Sequence, residues 1–505
     1  MDGDRMDTCD SSQAFAAMGR RQALEMIGTG LLGLAALSTA GCTSATDAPQ
    51  TNTAAPSAGS ASVTAPQAAP KSETGQLTYR TDPRSGNKIS MLGFGCMRFP
   101  TLPDPNNPEQ KIIDEENAYK LIDYAWSHGI NYFDTAHPYH GGTSEIMVGK
   151  ALSRYPRSSF FLADKMPTPK ITSLDTAKEI FEGQLKKCQT DYFDYYLLHN
   201  LSDLEVTKRV YLEYGVLDYL QEQKRQGRIR QLGWSFHGNR ELFTFALKEL
   251  AKDWDFVQIQ MNYHDWLYGD TARGKELIPA KWMYDQLAER SIPAVIMEPL
   301  LGGRLARLNQ QATEILKAAD PEASPAAWAF RFFASYPNII TVLSGMTYME
   351  HLQENLRTFS PLKPLSSAEQ QTLERALQAF RSTWSIPCTE CGYCMPCPYG
   401  VNIPGVFNHY NKCVAQNRLP SNAQDPEYSK YRRQYLIDYS RSLNPLQQAD
   451  RCIGCGKCLP ACPQKIAIPA EMHKIFKFTE GLHSHHGAHA HSRPSQSQNR
   501  HGAAQ

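Results

Sequence analysis

The sequence predicts an α/β fold in which a barrel of eight strand–helix units is followed by a small cysteine-rich domain. Eight short apolar runs alternate with helical patterns between residues 88 and 360, which is the number of units that closes a (β/α)8 TIM barrel. Nine of the 13 cysteines lie between residues 388 and 462, and such clustering indicates metal binding rather than disulfides. A chain of 505 residues has room for both domains.

The composition is that of an ordinary globular protein. Hydrophobic residues make up 41% of the chain and charged residues 20%, which excludes global disorder. The formal net charge is +1 at pH 7, so the chain has no general electrostatic attraction to nucleic acid or to an anionic membrane surface. We therefore expect no nucleic-acid partner.

The N-terminus predicts an export signal over residues 1–42. The pair Arg20-Arg21 precedes an uncharged run over 26–41, whose apolar part is short for a membrane span and typical of a signal peptide. The pair resembles a twin-arginine signal, and the small residues before Cys42 resemble a lipoprotein cleavage box. We expect a periplasmic protein, or one on the outer face of a membrane, with a lipid anchor at Cys42; the alternative is an uncleaved apolar anchor. Residues beside the pair depart from the usual signal pattern: Gly19, Ala23 and Glu25.

Two low-complexity segments flank the folded part. Residues 43–76 contain 29 Ala, Ser, Thr, Pro, Gly or Gln in 34 positions. They bury too little apolar surface to offset the entropy of ordering, so they predict a disordered tether. Residues 481–505 hold six histidines among small and polar residues and predict a His-rich disordered tail.

The barrel prediction rests on the order of strands and helices. Segments 173–187 and 206–226 are long enough for full crossover helices. A doubly wound sheet is the alternative, but its Gly-x-Gly-x-x-Gly fingerprint is incomplete after the first strand, where only Gly93 and Gly95 are present. Apolar residues recur at helical spacing in the first crossover: Ala118, Leu121, Ile122 and Ala125. The predicted strands are 90–95, 131–134, 160–164, 194–198, 230–234, 256–260, 293–297 and 339–343.

Four titratable residues of different types follow adjacent predicted strands. Asp134 and Tyr139 follow the second strand, Lys165 follows the third and His199 follows the fourth. Because active sites of such barrels lie at the carboxyl ends of the strands, we expect these side chains to meet at one rim. Individually, Asp134 would serve equally well as a helix cap and Lys165 as a strand-end charge, but the four together indicate catalysis.

This set of side chains suits proton transfer to a carbonyl. A phenol with a pKa of about 10 is a poor acid at neutral pH, but a nearby ammonium lowers that pKa, and we expect Lys165 to do so for Tyr139. Asp134 would hold Lys165 charged, and His199 would orient the substrate oxygen. Tyr139 would then protonate a carbonyl oxygen as hydride arrives at the carbon.

Further motifs surround the four residues. They are Phe133-Asp134-Thr135-Ala136 with Tyr139, Ser144-Glu145, Asp164-Lys165, Asp191-Tyr192-Phe193-Asp194 with His199, Gly233-Trp234-Ser235, and Glu354-Asn355. With them, residues 77–361 resemble the aldo/keto reductase family. The resemblance implies a barrel that binds NAD(P)(H) along its rim, a small carbonyl or alcohol substrate, and a catalytic tetrad of Asp134, Tyr139, Lys165 and His199. It places seven residues beside the cofactor: Ser235 and Gln258 at the nicotinamide amide, Glu354 and Asn355 near the adenine, and Ser344, Gly345 and Met346 near the adenosine phosphate.

The chain departs from this family at three cofactor positions. Phe236 stands where many members have Asn, and Met297 and Glu298 end the seventh strand where many members stack an aromatic ring on the nicotinamide. His351 lies near the position that often carries an arginine for the 2′-phosphate of NADP. A preference for NADP is therefore not supported, and we expect altered or weaker nicotinamide binding.

Two closely spaced cysteine runs predict iron–sulfur clusters in a ferredoxin-like domain over residues 386–480. The run Cys452, Cys455, Cys458 and Cys462 before Pro463 has the bacterial ferredoxin spacing, and Cys388, Cys391, Cys394 and Cys397 differ from it by one residue. Two [4Fe-4S] clusters with exchanged fourth ligands follow from this pattern. Cys388, Cys391, Cys394 and Cys462 would hold one, and Cys452, Cys455, Cys458 and Cys397 the other. Zinc is the alternative, although zinc sites typically use two separated pairs. Three cysteines without a pattern are expected to be buried thiols: Cys96, Cys188 and Cys413.

The domain order is then a barrel over 77–362, a connecting helix over 363–385 and the iron–sulfur domain. We expect an oxidoreductase that interconverts a carbonyl and an alcohol with a nicotinamide, its clusters exchanging electrons with a one-electron donor or acceptor protein. Two alternatives stay open: an electron-transfer or redox-sensing protein with a non-catalytic barrel, and an ordinary reductase with structural clusters. Clusters beside the rim near Tyr139 favour electron transfer, whereas clusters on the opposite face favour a structural role.

Overall fold

The computed structural model describes residues 75–250, 253–268, 278–382 and 385–484. The predicted signal over 1–42, the tether over 43–76 apart from its last two residues, and the tail from 485 onward lie outside these ranges. In the described ranges, no helix is both long enough and apolar enough to cross a membrane.

The described residues contain twelve strands, and eight of them close a parallel barrel in the order β3, β6, β7, β8, β9, β10, β11, β12. The strands are β1 (Tyr79–Thr81), β2 (Lys88–Ser90), β3 (Leu92–Gly95), β4 (Thr101–Asp104), β5 (Asn107–Ile113), β6 (Tyr132–Asp134), β7 (Phe161–Pro167), β8 (Phe193–Leu201), β9 (Ile229–Phe236), β10 (Phe256–Gln260), β11 (Ala294–Met297) and β12 (Ile339–Ser344). Each barrel strand coincides with one predicted strand, so the barrel is confirmed.

The barrel interior is filled by side chains rather than open. Large residues from several strands pack against one another there, including Tyr132, Tyr195 and Phe256. The hairpin of β1 and β2 covers the amino-terminal end of the strands, where the Tyr195 hydroxyl donates to Asp82 at 2.8 Å. The carboxyl ends of the strands therefore provide the surface on which a site is built.

Helices alternate with the barrel strands and continue into the C-terminal part of the chain. They are α1 (Glu115–Ser127), α2 (Ser144–Leu152), α3 (Leu174–Lys187), α4 (Leu204–Lys208), α5 (Val216–Arg225), α6 (Arg240–Phe245), α7 (Asp265–Tyr268), α8 (Ala280–Ala288), α9 (Gln310–Ala319), α10 (Pro325–Arg331), α11 (Met349–Thr358), α12 (Ser367–Arg381), α13 (Ile403–Ala415), α14 (Tyr428–Ser442) and α15 (Ile468–Ser484). In α1 the four residues with helical spacing are all buried, as predicted.

Two crossover predictions had different outcomes. The prediction over 173–187 is confirmed, because α3 begins after Ser173, whose side chain accepts from the Thr176 N–H. The single helix predicted over 206–226 is wrong. Two features separate α4 from α5: a wide π-type turn over Arg209–Glu213, and Gly215, which has φ 72°. Glycine permits this left-handed conformation, which the apolar spacing did not reveal.

The cysteine-rich domain follows the helix α12. This helix starts at a capping box formed by Ser366 and Glu369 and packs against α9 of the barrel. Residues 385–484 then form turns that carry the cysteines and three helices, α13, α14 and α15, around their own apolar core, with no strand among these described residues. The last helix extends to Ser484, past the predicted start of the tail at 481.

Candidate active site

The four predicted catalytic side chains meet at the carboxyl ends of β6, β7 and β8. Lys165 Nζ donates to Asp134 Oδ1 at 2.6 Å and to the Thr135 carbonyl at 2.6 Å, and it lies 3.5 Å from the Tyr139 hydroxyl. The ring centroids of Tyr139 and His199 are 6.3 Å apart, with the rings edge to face. All four side chains are buried, so their mutual geometry is set by packing and not by solvent.

The electrostatics of this group differ from expectation in one respect. Burial, together with the charges of Asp134 and Glu298, raises the pKa of Tyr139 well above its ordinary range. The expectation that Lys165 would lower the pKa of Tyr139 is therefore wrong for the net effect, because burial raises this pKa and Asp134 compensates the ammonium charge at 2.6 Å. Burial and the Lys165 charge lower the pKa of His199 well below its usual value. At neutral pH the site thus presents a protonated phenol and a neutral imidazole.

A buried network behind the site holds Lys165 in place. Gln184 of α3 donates to the Lys165 carbonyl and to Glu145, both at 2.9 Å, and accepts from the Tyr196 hydroxyl at 2.5 Å. Glu145, at the start of α2, also accepts from Lys187 at 2.7 Å. These contacts join two crossover helices to the strand ends and explain why polar residues are buried here.

A cavity of about 630 Å³ opens above the tetrad. Tyr139, His199 and Asp134 lie in its wall. Five residues that the family resemblance places beside the nucleotide line the same cavity: Gln258, Ser344, Gly345, Glu354 and Asn355.

The other two predicted cofactor residues do not line this cavity. Ser235 is buried and its hydroxyl lies 3.5 Å from the Leu198 carbonyl, and Met346 belongs to the hydrophobic core. Gln258 Oε1 is buried and has no hydrogen-bond partner among the described residues. Such an unpaired acceptor fits the amide donor of a nicotinamide, because buried polar atoms are normally hydrogen-bonded. The residues present therefore suit this group.

The cluster domain forms one wall of the cavity, which the sequence did not predict. Cys391 and Tyr393 line the cavity together with Tyr139, as do Pro463 and Gln464, which follow the last cysteine of the second run. These lining residues carry no signal in the sequence beyond their position beside predicted ligands.

Hydrogen bonds join this wall to the barrel. Arg98, after β3, donates to the backbone carbonyls of Thr389 and of Glu390, the latter at 3.2 Å. Gln464 donates to the Gln260 side chain at the end of β10, at 3.1 Å. These hydrogen bonds, made near the ends of two barrel strands, fix the position of the cysteine-containing turns of the cluster domain over the carboxyl ends of the barrel strands.

The eight predicted cluster ligands fall into two neighbouring groups. Cys397 lies with Cys452, Cys455 and Cys458 around a cavity of about 50 Å³, which Cys394 of the first run also lines. Cys462 of the second run instead interacts electrostatically with Cys391 and Cys394 of the first. These neighbours are compatible with the exchange of fourth ligands, which stays a prediction, and all eight thiols are free of disulfides.

Backbone groups around the cysteines are arranged to bind sulfur. The Glu390 N–H donates to Cys388 Sγ at 3.4 Å, and the Ile466 N–H donates to Cys462 Sγ at 3.3 Å. Within the described residues, no three His, Cys, Asp or Glu side chains converge closely enough to hold a single metal ion. The three unpatterned cysteines are buried, as predicted: Cys96, Cys188 and Cys413.

Comparison with known proteins agrees with this geometry. The Aldo/keto reductase family model matches residues 91–378, and a 4Fe-4S dicluster domain model matches residues 387–467. The chain is similar to L-galactose dehydrogenase of Arabidopsis thaliana, with 26% identity over 61% of this chain and 97% of that protein. It is also similar to Protein tas of Escherichia coli, with 30% identity over 56% of this chain and 93% of that protein.

A solved structure also resembles the barrel. An aldo-keto reductase from Bacillus halodurans in its holo form has 22% identity and a TM-score of 0.46, covering 59% of this chain and 96% of that one. The family match spans more than half of the chain and includes the strand ends that carry the tetrad. The chain therefore belongs to the aldo/keto reductase family, is an oxidoreductase, and carries a 4Fe-4S dicluster domain after its barrel.

Proposed function

We propose that the protein interconverts a small carbonyl compound and its alcohol by hydride transfer with a nicotinamide, and that two [4Fe-4S] clusters exchange the electrons with an external protein. The observation that carries this proposal is that Tyr139 and Cys391 line one cavity. The tetrad and a predicted cluster ligand border the same cavity. This supports a reaction in which the barrel site and the clusters take part together, rather than two domains that work independently.

The residues of the chain bind and protonate the substrate. His199 donates a hydrogen bond from its neutral imidazole and orients the carbonyl oxygen. Tyr139 transfers its phenolic proton to that oxygen during reduction and recovers it during alcohol oxidation. Lys165 stabilises the phenolate that this transfer leaves, and Asp134 keeps Lys165 charged and in place at 2.6 Å.

The residues around the cavity would position the cofactors. Gln258 would accept a hydrogen bond from the nicotinamide amide, and Asn355, which donates to Ser344 at 3.1 Å, would border the adenosine end. When bound, a nicotinamide would supply the hydride to the carbonyl carbon, and its return to the reduced form would take two electrons, one from each cluster, and one proton from solvent. Cys455 is exposed, so the cluster that it helps to hold would be the one nearest to a redox partner protein.

The proposal is tested by anaerobic purification followed by iron, sulfide and bound-nucleotide analysis. We expect about eight irons per chain, reduction of a carbonyl panel with NADH or NADPH, and bleaching of the cluster absorbance on adding the reduced nucleotide. Carbonyl reduction without bleaching would favour the alternative of an ordinary reductase whose clusters have only a structural role. Bleaching or iron binding without any carbonyl turnover, together with no bound nucleotide, would favour the redox-sensing alternative, which the Met297 and Glu298 positions support.

We also propose export by the twin-arginine route with lipid attachment at Cys42. The support is the sequence alone: Arg20-Arg21, the apolar run and the small residues before the cysteine. Cell fractionation tests it with the double variant Arg20→Lys and Arg21→Lys. We expect this variant to accumulate in the cytoplasm while Arg5→Lys is exported normally, and equal export of both variants would contradict the proposed route.

A further inference from the structure

The turns that carry the second cysteine group expose apolar side chains to solvent. Among the residues that the structure describes, Ile453 and Leu446 are the two most exposed large apolar residues, at 64% and 63%. Met395, Tyr399 and Leu459 on the same turns are exposed as well. We call these five residues the cluster-tip patch. A contiguous apolar patch on a protein surface marks a binding site more often than chance exposure does.

The members of the patch are neighbours in space, although separate segments of the chain carry them. Tyr399 and Ile453 line the same small cavity as Cys455. A Cβ atom added to Gly400 would stand 3.2 Å from the Leu446 carbonyl oxygen, so the turn of Leu446 lies directly against that of Tyr399. These three apolar residues therefore form one continuous surface beside an exposed cysteine.

The patch extends to both sides of this cavity. Met395 follows Cys394, which lines the cavity wall. Leu459 lies over Gly456, where an added Cβ would stand 3.5 Å from Leu459 Cδ1, and Gly456 lines the same cavity. The apolar side chains thus surround the cysteine group that includes Cys455.

The charge beside the patch is positive. The segments 391–402 and 443–462 carry the patch and contain three charged residues, Asp450, Arg451 and Lys457. Asp450 Oδ2 lies 3.6 Å from Arg451 Nε, so these two charges compensate each other. Lys457 is exposed at the cavity edge, and its ammonium forms no ion pair within the described ranges. A bound cluster with its thiolates adds negative charge at the centre. The complementary partner therefore carries its carboxylates at the rim and an apolar surface at the centre.

The position and the size of the patch favour a transient partner. Cys391 of the first run lines the cavity above the tetrad, whereas Cys455 of the second run lies at the patch. The two cysteine groups therefore lie between the catalytic cavity and the patch. Five side chains are far fewer than the roughly 20–30 residues that each side of a stable interface contributes, and electron-transfer complexes are among the smallest interfaces.

We propose that the cluster-tip patch is the docking surface of a small one-electron carrier protein whose cofactor edge is apolar and ringed by carboxylates. The inference rests on the proposed function and names its partner. One electron crosses at each encounter, so the carrier's metal centre gains the electron that a cluster loses, or the reverse, and no bond or proton changes at the interface. Lys457 steers the carrier towards the surface, and burial of Leu446 and Ile453 holds the complex.

The test follows electron transfer out of the anaerobically purified holoprotein after reduction with dithionite. Two protein oxidants that each accept one electron are compared by stopped-flow absorbance: plastocyanin of the acidic plant type and the basic mitochondrial cytochrome c. We expect plastocyanin to be reduced faster at about 0.01 M salt than at about 1 M salt, because salt screens the attraction to Lys457. The rate for cytochrome c should not show this fall with salt.

Two variants of the patch are matched with two variants of the barrel. Lys457→Glu reverses the rim charge and should lower the plastocyanin rate at low salt about tenfold. Leu446→Ser removes apolar surface without touching a predicted ligand and should lower that rate about tenfold at both salt concentrations. Lys317→Glu in α9 and Leu267→Ser in α7 make the same changes at exposed positions and should keep the wild-type rate. Benzoquinone, a small neutral oxidant, should oxidise all variants equally, which shows that the clusters are intact.

Several outcomes would overturn the docking surface. They are no reduction of plastocyanin by the reduced wild type, and equal rates for each patch variant and its barrel control. A dimer in sedimentation that Leu446→Ser dissociates would show a second copy on the patch instead. Binding to phosphatidylglycerol vesicles that Leu446→Ser abolishes would show a membrane surface. Dithionite replaces the nucleotide in this assay, so the proposed function is judged separately. A wild type that reduces plastocyanin through the patch but reduces no carbonyl would contradict the proposed function and uphold the docking surface.

Discussion

Lys165 Nζ lies 2.6 Å from Asp134 Oδ1, and both side chains are almost completely excluded from solvent. Removing one partner of a buried ion pair leaves the other charge uncompensated and costs about 3–5 kcal/mol. We therefore expect Lys165→Met to lower the free energy of unfolding by about that amount in anaerobic urea titrations. Lys120→Met, which breaks an exposed pair with Glu116 at the same 2.6 Å, is the matched control and should cost less than about 1 kcal/mol. Similar losses for both variants would contradict this prediction.

Tyr139→Phe should remove the proton donor while leaving the pocket filled. General acid catalysis contributes roughly 10²–10⁴ in rate, so we expect kcat for carbonyl reduction to fall by about that factor with nucleotide affinity unchanged. Steady-state assays and nucleotide fluorescence titration measure the two quantities. Tyr124→Phe, which changes a ring of α1 that stacks on His128 just after this helix, is the control and should retain wild-type rates. Retained activity in Tyr139→Phe would remove this tyrosine from the chemistry.

The two directions of the reaction should depend differently on pH. Burial, with Asp134 and Glu298, raises the pKa of Tyr139 above its ordinary value of about 10. Reduction uses the protonated phenol, so its kcat should stay level from about pH 7 to about pH 10. Oxidation uses the phenolate, so its kcat should rise with pH over the same range. Profiles of kcat in both directions test this, and a reduction rate that already declines between about pH 7 and 9 would show a lowered pKa instead.

Cys397→Ser should remove one cluster and spare the other. In the structure Cys397 lies around a small cavity with three cysteines of the second run and with Cys394. We expect the iron content to fall by about half, with the remaining cluster visible by EPR. Cys413→Ser, a buried thiol outside both groups, should keep the full iron content. Loss of all iron in Cys397→Ser, or of none, would disagree with two clusters that exchange their fourth ligands.

Gln258→Leu should weaken nucleotide binding more than catalysis. Its Oε1 is buried without a hydrogen-bond partner in the described structure, and a net hydrogen bond of about 1 kcal/mol corresponds to roughly a fivefold change in Kd. Fluorescence titration with NADH and NADPH measures it. Gln226→Leu, which removes an exposed amide that donates to Glu222, is the control. An unchanged Kd for both nucleotides would place the nicotinamide elsewhere.

The barrel and the tetrad follow from local sequence because their signals are local. Each strand is a short apolar run, and Asp134, Lys165 and His199 sit where such runs end, so the closed topology alone brings them to one rim. The break between α4 and α5 was missed because apolar spacing continues through Gly215, whose left-handed backbone interrupts the helix.

The position of the cluster domain was not predictable from the sequence. Its contacts join residues far apart in the chain, such as Arg98 and Glu390, 292 positions away. The spacing of residues along the sequence predicts local structure but not a contact between positions so far apart. Tyr393 and Gln464 consequently entered the site only through the structure, although the spacing of the cysteines beside them correctly predicted a 4Fe-4S domain.

The contact at Gly302 shows how closely the barrel and the cluster domain pack. A Cβ atom added to Gly302, in the loop after β11, would stand only 2.3 Å from Thr389 Cα. Gly302 also has φ 64°, in the left-handed region that favours glycine. The backbone conformation at 302 and the close approach of Thr389 thus both exclude a side chain there. A larger residue at 302 would have to displace the segment that carries Thr389, and with it one wall of the cavity above the tetrad.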